Sequence, residues 1–280
     1  MSILYIVPTP IGNMEDITLR ARRVLSEVDF VACEDSRVGG KLMLLLGLKK
    51  PLYAYHEHNK QRAGEVIAER IAAGEDCALI TDAGTPAVSD PGEDLVRLCR
   101  SRGIEVIPLP GACAAVTALS ASGLPSRRFC FEGFLPTDKK EKAFVLEELA
   151  RETRTMILYE APHHLKRTLS ELLETLGERR ITLCRELTKK FETIMPTTLE
   201  GAADYYEENE PKGEYVLVIE GKSRKEIEEE QQKSWESMSI EEHMAFYEKQ
   251  GIDRKSAMKK VAADRGVGKR EIYQALLKDE

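Results

Sequence analysis

Three segments of the chain combine the end of an apolar run with small residues, prolines and the start of a helix pattern. They are VPTPIGN at 7–13, LITDAGTPAVSDPG at 79–92 and PLPGACAA at 108–115. Small side chains let a ligand approach the backbone, and free N–H groups at a helix start can receive a carboxylate or ribose oxygens. Neither a Walker A loop nor a G-x-G-x-x-G fingerprint occurs, so ATP and dinucleotide sites lose their usual support. The loops predict a groove for a small ligand at one sheet edge.

Two charged segments are candidates for handling a second substrate. Glu34 and Asp35 precede Arg37, and the second segment runs from Arg185 through Lys189 to Lys190. Carboxylates beside a guanidinium can orient or deprotonate a hydroxyl, although buried ion pairs and helix caps are an alternative interpretation. His56 and His58 form a conceivable metal pair on one strand face, but no third ligand is in view.

The elements that position these residues follow a β-α-β rhythm over the first 125 residues. Amphipathic stretches such as Thr18–Glu27 separate short apolar runs, which predict strands at Ile3–Val7, Val28–Cys33, Cys77–Thr81 and Glu105–Pro108. Strands that are apolar nearly throughout favour a mostly parallel sheet with helices on both faces. Asp16 or Thr18 is a candidate N-cap for the first helix, and Asp90 with Pro91 for another.

A second set of elements begins after Ser122-Gly-Leu-Pro-Ser126. It predicts helices at Lys139–Arg151 and His163–Leu176, and strands at Phe129–Phe134, Met156–Tyr159, Ile181–Arg185, Glu192–Thr198 and Glu214–Ile219. Short links between the last strands favour an α+β domain with some antiparallel pairing. We therefore predict an N-terminal α/β domain at 1–122, a second α/β domain at 123–221, and a charged linker with a helical tail at 222–280.

The tail could face nucleic acid. Asp253 to Glu271 contains seven Lys or Arg against three Asp or Glu, and two apolar stripes flank the turn Arg265-Gly-Val-Gly268. This predicts a helix-turn-helix shape, either as a small cap with a solvated face or as a nucleic-acid-facing appendage. The whole chain of 280 residues has a net charge of −7, which argues against a polycation of histone type.

The cysteines and the apolar runs indicate the cellular compartment in which the protein is expected. The six cysteines stand singly, without C-x-x-C or zinc spacing, and are interpreted as reduced core thiols. The N-terminal apolar run is too short for a signal peptide, and no stretch approaches the roughly 20 apolar residues that span a bilayer. We expect a cytoplasmic protein with no membrane contact and no bound metal.

Taken together, eight motifs occur in an order that resembles the tetrapyrrole-methylase-fold family. They are VPTPIGN, CEDSR, LITDAGTPAVSDPG, PLPGACAAVTALSASGLP, FEGFLP, YEAPHH, RELTK and KGEYVLVI, spread over residues 7–219. The match is strongest to the branch that methylates the ribose 2'-oxygen of a cytidine in 16S ribosomal RNA. The chain departs from that branch at five positions, where Gly, Ser, Ser, Arg and His are expected: Ala87, Cys113, Ala161, His164 and Phe191.

The resemblance implies a two-domain tetrapyrrole-methylase-like fold, a homodimer, S-adenosylmethionine as cofactor and the small ribosomal subunit as partner. It also implies cofactor contacts at Pro10, Gly12, Asp82, Ala83, Gly84, Thr85, Ser89, Gly111, Cys113, Ala114, Glu160, Ala161, Pro162, Lys212 and Gly213.

The charged segments would then form the RNA side. We expect Glu34 or Asp35 to face the hydroxyl, and Arg37 with Lys189 to stabilise phosphate or alkoxide. Two rival functions are methylation of a tetrapyrrole ring carbon and a non-enzymatic role as an RNA-binding assembly factor.

Overall fold

The computed structural model describes residues 2–277, apart from the side chains of 228, 230, 231, 233, 234, 236 and 237. Two compact units divide the chain, 1–220 and 221–280. The first unit contains both predicted sheets, so a domain boundary between residues 122 and 123 stays a prediction.

A five-stranded sheet forms the first half of unit 1 and is parallel throughout. Its strands, in spatial order, are β3 (Leu52–Ala54), β2 (Phe30–Cys33), β4 (Cys77–Ile80), β1 (Ile3–Ile6) and β5 (Glu105–Pro108). Alternate residues of β4 belong to two different hydrophobic clusters, Cys77 and Leu79 to one and Ala78 and Ile80 to the other. Both sheet faces are therefore buried, which explains why the strands are apolar nearly throughout.

Four helices cover this sheet. Helices α1 (Leu19–Glu27) and α2 (Ser36–Leu45) pack on one face, and α3 (Lys60–Ala72) and α4 (Gly92–Ser101) on the other. Thr18 caps α1 by accepting a hydrogen bond from the N–H of Ala21, which confirms one of the two predicted caps. The assigned cap residue of α4 is Pro91, one residue after the predicted Asp90, but the Asp90 carboxylate does accept from the N–H of Gly92, the first residue of α4, at 2.7 Å, and from Ala87 N at 3.0 Å.

The second sheet is mixed, as predicted. Its order is β6 (Phe129–Phe134), β7 (Thr155–Glu160), β10 (Tyr215–Ile219), β8 (Arg180–Arg185) and β9 (Thr193–Thr198). Only the β6–β7 pair is parallel within it. Helices α6 (Lys139–Arg151), α7 (Pro162–Leu176) and α8 (Leu199–Glu208) pack on one face, while α5 (Ala114–Ser122), which follows the last strand of the first sheet, packs on the other.

Unit 2 is helical and consists of α9 (Arg224–Ser237), α10 (Ile240–Lys249), α11 (Arg254–Asp264) and α12 (Lys269–Leu276). Ala257, Met258, Val261 and Ala262 are buried, so the first predicted stripe is confirmed. The second is only partly right, since Ile272 is buried but Tyr273 and Leu277 are exposed. None of the described helices is both long and apolar enough to cross a bilayer.

Four elements escaped the sequence analysis: α2, β3, α8 and α10. Strand β3 has three residues, fewer than a hydrophobic pattern needs to be recognised. Helix α2 carries Gly39 and Gly40, which lower intrinsic helix propensity. Residues His56 and His58 follow β3 rather than lying on it, so their predicted position on a strand face is wrong.

Two glycines predicted to contact the cofactor, Gly12 and Gly111, allow neighbouring loops to pack closely. A Cβ on Gly111 would lie 2.5 Å from Cβ of Pro8, and one on Gly12 would lie 2.4 Å from Cγ of Lys189. These distances are shorter than any ordinary carbon contact. Gly111 and Gly12 therefore permit close packing of the loop after β1 against its neighbours.

Gly111→Ala is expected to lower the free energy of unfolding by about 1–3 kcal/mol, because the new methyl group meets the rigid Pro8 ring. Gly40→Ala is the control. Its Cβ would lie 3.6 Å from Leu52 and should stabilise α2 by up to about 1 kcal/mol. Urea unfolding measures both, and equal effects of the two substitutions would contradict this packing.

Candidate active site

Hydrogen bonds join the three small-residue loops into one rim. Thr9 and Gly84 exchange a pair of backbone hydrogen bonds of 2.9 and 3.1 Å, and the Thr9 hydroxyl donates to the Thr81 carbonyl oxygen at 3.1 Å. The Thr85 hydroxyl donates to the Ala112 carbonyl oxygen at 2.9 Å. Because β4, β1 and β5 are neighbours, all three loops leave the same sheet edge, as the sequence predicted.

A cavity of about 830 Å³ opens between this rim and the second sheet. Its size falls in the range of small-molecule sites. Predicted cofactor contacts that line it are Ala83, Gly84, Thr85, Ser89, Cys113, Ala114, Glu160 and Ala161. Of the predicted catalytic residues, Glu34 and Lys189 line it as well.

The other predicted residues have different surroundings. Those that do not line this cavity, in the described part of the chain, are Pro10, Gly12, Asp82, Gly111, Pro162, Lys212, Gly213, Asp35 and Arg37. Asp82 and Asp35 line a second, shallow and open cavity of about 470 Å³. Pro162 begins α7, and Gly213 has φ of +78° and packs against the Glu186 side chain.

Sequence reasoning missed the aromatic wall. Tyr159 lines the cavity and its hydroxyl oxygen accepts a hydrogen bond from the N–H of Ala115 at 3.2 Å. Burial raises the pKa of the Tyr159 hydroxyl to about 12. The Phe131 and Phe134 rings meet it edge-on, at centroid distances of 5.0 and 5.6 Å. The motifs FEGFLP and YEAPHH contain these three residues, so their strand-end position was the available signal.

Strained backbone marks the loops that face the cavity. Among the described residues other than glycine, positive φ occurs at Ala87 (64°), Ser89 (66°), Glu186 (51°) and Thr188 (64°). Such conformations cost L-residues energy, and they cluster at functional sites. The value at Ala87 explains why the related sequences are expected to have glycine there.

Acidic side chains dominate the cavity. Eight carboxylates among the described residues line it, against the ammonium groups of Lys60 and Lys189. Both ammonium groups are already paired: Lys60 with Glu57 and Asp94 at 2.7 and 2.8 Å, and Lys189 with Glu186 and Glu214 at 3.0 and 2.8 Å. A cationic ligand is therefore favoured, and a phosphate group is not.

S-adenosylmethionine fits this arrangement. Its sulfonium and amino groups are cations that suit an acid-lined cavity, and Ala83, Gly84 and Ala114 leave the backbone open to close approach. Helix α5 lacks a side-chain cap, and Tyr159 takes only the Ala115 N–H of its first turn. The residues present therefore agree with the predicted cofactor.

Glu34 faces both cavities. Its Oε2 accepts a hydrogen bond from the Thr81 hydroxyl at 3.3 Å. Burial and then the charge of Asp82 raise the pKa of the Glu34 carboxyl, so its ionised form is held under strain.

Asp35 has a structural partner instead. Its carboxylate caps α2 and pairs with Arg37, accepting from Arg37 N at 2.7 Å and Nη2 at 2.5 Å. These hydrogen bonds lower the pKa of the Asp35 carboxyl to about 2. The helix-cap interpretation therefore applies to Asp35, while the Arg37 side chain stays 91% exposed.

Unit 1 is thus a two-sheet α/β methyltransferase framework whose cavity suits a cationic methyl donor. A family model for tetrapyrrole (corrin/porphyrin) methylases matches residues 3–203. The sequence is 47% identical over 275 residues to ribosomal RNA small subunit methyltransferase I of Bacillus subtilis (strain 168), covering 98% of this chain and 94% of that protein. The protein of that name in Halalkalibacterium halodurans is 48% identical over 270 residues, covering 96% and 93%.

A solved structure supports the same fold. Uroporphyrin-III C-methyl transferase from Thermus thermophilus, complexed with S-adenyl homocysteine, superimposes with a TM-score of 0.55 at 20% identity, covering 79% of this chain and 97% of that chain. The chain belongs to the tetrapyrrole methylase family and, within it, to the group of ribosomal RNA small subunit methyltransferase I. The predicted family, fold class and methyltransferase class are confirmed.

Glu34→Gln is expected to raise the melting temperature at pH 8, because the raised pKa means that ionising Glu34 costs folding free energy. That cost is absent below the ordinary carboxyl pKa of 4.5 and grows as the pH rises through it. Asp35→Asn should do the reverse, since a lowered pKa contributes stability above the ordinary value of 3.8.

Thermal unfolding between pH 4 and pH 8 measures both variants. The two curves should diverge from wild type in opposite directions as the pH rises. A destabilised Glu34→Gln at pH 8 would contradict the placement of this carboxylate.

Proposed function

We propose that this protein transfers a methyl group from S-adenosylmethionine to the 2'-oxygen of a cytidine ribose in 16S ribosomal RNA. The observation that carries the proposal is that an acid-lined cavity of small side chains adjoins a second cavity, with Glu34 lining both. The names of the relatives support ribosomal RNA of the small subunit as substrate.

Methyl transfer depends mainly on aligning the donor methyl group with the acceptor oxygen. S-adenosylmethionine supplies a methyl group bound to positively charged sulfur. An oxygen nucleophile can attack the methyl carbon directly, with the sulfur as the leaving group. Holding two reactants in line can supply about 7–11 kcal/mol of the barrier. The rim residues Gly84 and Thr85 with Ala114 would hold the donor, and the wall of Tyr159 and Phe134 would exclude water.

Glu34 is the residue we assign to the acceptor hydroxyl. It lines both the donor cavity and the second cavity, and the Thr81 hydroxyl holds its Oε2 in place, so its carboxylate can orient the hydroxyl or support the group that takes up the hydroxyl proton. Asp35 is assigned to holding Arg37, whose exposed guanidinium can meet an RNA phosphate. Lys189 is assigned to closing the ion-pair cluster with Glu186 and Glu214 at the cavity wall.

Unit 2 supplies a basic surface for the same partner. Arg254, Lys255, Lys259, Lys260 and Arg270 are exposed on α11 and α12. Arg265, which the sequence analysis counted with them, is instead a structural residue that donates to Nδ1 of His243 and to the carbonyl oxygens of Met238 and Ser239. The remaining cations favour the nucleic-acid-facing interpretation of the tail.

Other parts of the assignment stay predictions. These are the homodimer, the cytoplasmic location and the exact role of each cofactor contact. The rival tetrapyrrole substrate draws support from the fold alone, because the solved neighbour is 20% identical. The rival assembly factor would bind the methyl donor without transferring its methyl group.

The proposal is tested by incubating the full chain with methyl-labelled S-adenosylmethionine and small ribosomal subunits, free 16S RNA or a porphyrin precursor. We expect label in the RNA as a linkage resistant to alkali, because a methylated 2'-oxygen cannot attack the neighbouring phosphate. Label in the macrocycle, or donor binding without transfer to any acceptor, would overturn the proposal.

In the same assay, Glu34→Gln is expected to slow single-turnover transfer by at least about 100-fold, the usual cost of losing a proton acceptor or its partner. Asp35→Asn should change the rate much less, because its carboxylate is engaged by Arg37. Full single-turnover rates in both variants would show that neither carboxylate serves the hydroxyl.

A further inference from the structure

His56 lines the second cavity, beside Glu34. Strands β3, β2 and β4 are neighbours, and His56, Glu34 and Asp82 follow their carboxyl ends by one or two residues. All three side chains line the 470 Å³ cavity, together with Asp35, Ser36 and Ala54. This cavity shares Glu34 with the donor cavity, so a group bound in it would lie next to the donor.

The backbone at His56 is firmly held. Asn59 Oδ1 accepts a hydrogen bond from the N–H of His56 at 2.8 Å, and Asn59 Nδ2 donates to the Ala54 carbonyl oxygen at 3.0 Å. The preceding Tyr55 donates from its N–H to Cys33 O at 2.8 Å and from its hydroxyl to Pro91 O at 2.9 Å. The imidazole is therefore presented from a rigid turn, as a reacting group needs to be.

Most polar groups in this cavity already have partners. Asp35 pairs with Arg37, and Asp82 Oδ1 accepts from the N–H of Asp35 at 3.2 Å. His56 differs, because its Nδ1 is buried and finds no hydrogen-bond partner in the described part of the chain. Buried polar atoms are rarely left in this state, and a catalytic role of the residue is one of the reasons for an exception.

Acidic side chains surround the His56 imidazole. The carboxylates of Glu34, Asp35 and Asp82 face the cavity from the neighbouring strand ends. On its own segment His56 is followed by Glu57, which pairs with Lys60, and by His58, whose ring centroid lies 6.0 Å away. The balance of charge near His56 is negative.

We propose that the 470 Å³ cavity receives the acceptor ribose and that the His56 imidazole takes up the proton of its 2'-hydroxyl. This inference rests on the proposed function. The hydroxyl oxygen forms the new bond to the methyl carbon, the carbon–sulfur bond breaks with its electron pair passing to sulfur, and the hydroxyl proton moves to the imidazole. Glu34 stabilises the resulting imidazolium, which returns its proton to water.

The division of labour between His56 and the carboxylates follows from basicity. A neutral imidazole keeps one ring nitrogen as an acceptor, and histidine is the side chain that most often serves as a general base. The Asp35 carboxyl, with a pKa of about 2, is too weak a base to compete. Glu34 and His56 therefore act as a pair, with the carboxylate supporting the base.

The test is single-turnover methyl transfer by full-length His56→Ala to the RNA substrate that the wild-type protein accepts. We expect a loss of at least about 100-fold, with partial recovery on addition of free imidazole. Calorimetric affinity for S-adenosylmethionine should stay close to wild type, because His56 lines only the acceptor cavity. His58→Ala is the matched control and should keep the wild-type rate, since His58 lines neither cavity.

The outcomes distinguish a failure of the His56 role from a failure of the proposed methyl transfer to RNA. The role of His56 alone would be overturned if His56→Ala transferred the methyl group at the wild-type rate. It would also be overturned if the rate fell, donor binding and melting temperature stayed normal, and imidazole did not restore the rate. Absence of transfer by the wild-type protein to any RNA would overturn the proposed function with it. If His56→Ala does not fold, His56→Gln replaces it, and a wild-type rate in that variant contradicts the inference.

Discussion

The site depends on the hydrogen bonds that tie three separate loops into one rim. The Thr9–Gly84 backbone pair joins the loop after β1 to that after β4, and the Thr85 hydroxyl joins the latter to the loop after β5. Loops of small residues would otherwise gain much conformational entropy and lose their fixed shape. Because these contacts use backbone atoms and one short hydroxyl, the rim stays rigid while its inner surface stays free of bulky side chains.

Electrostatics then separates the donor from the acceptor. Eight carboxylates around the larger cavity attract a sulfonium compound and repel an RNA backbone. Exposed cations that do not line this cavity include Arg37 in unit 1 and Arg254 and Lys255 in unit 2. An acceptor ribose would therefore have to leave its flanking phosphates outside the acidic cavity, which favours a nucleotide turned out from its neighbours. The raised pKa of Glu34 and the positive φ values at Ala87 and Ser89 show that this arrangement costs stability.

The sequence predicted the strands with continuous apolar runs and the loops between them, because burial on both faces and helix-start chemistry leave clear local patterns. It did not predict β3, whose three residues carry too little pattern, and therefore misplaced His56 on a strand. The resemblance implied cofactor contacts at Gly12 and Gly111, and these stay predictions; the structure adds that Lys189 and Pro8 lie where a side chain at these two positions would be. These contacts depend on strand pairing and on the meeting of loops far apart in the chain: Phe134 lies opposite Tyr159 because β6 pairs with β7, and Pro8 meets Gly111 because β1 pairs with β5. Local sequence cannot specify them.

The central claim is that an acid-lined cavity, held in shape by the joined loops, selects a positively charged sulfur compound. Calorimetry with S-adenosylmethionine and with its neutral-sulfur product, S-adenosylhomocysteine, at low and high salt tests it most directly. The account predicts tighter binding of the sulfonium compound, with an advantage that shrinks as salt screens the carboxylates. Absence of binding heat from a folded preparation, or equal affinities that do not respond to salt, would contradict it.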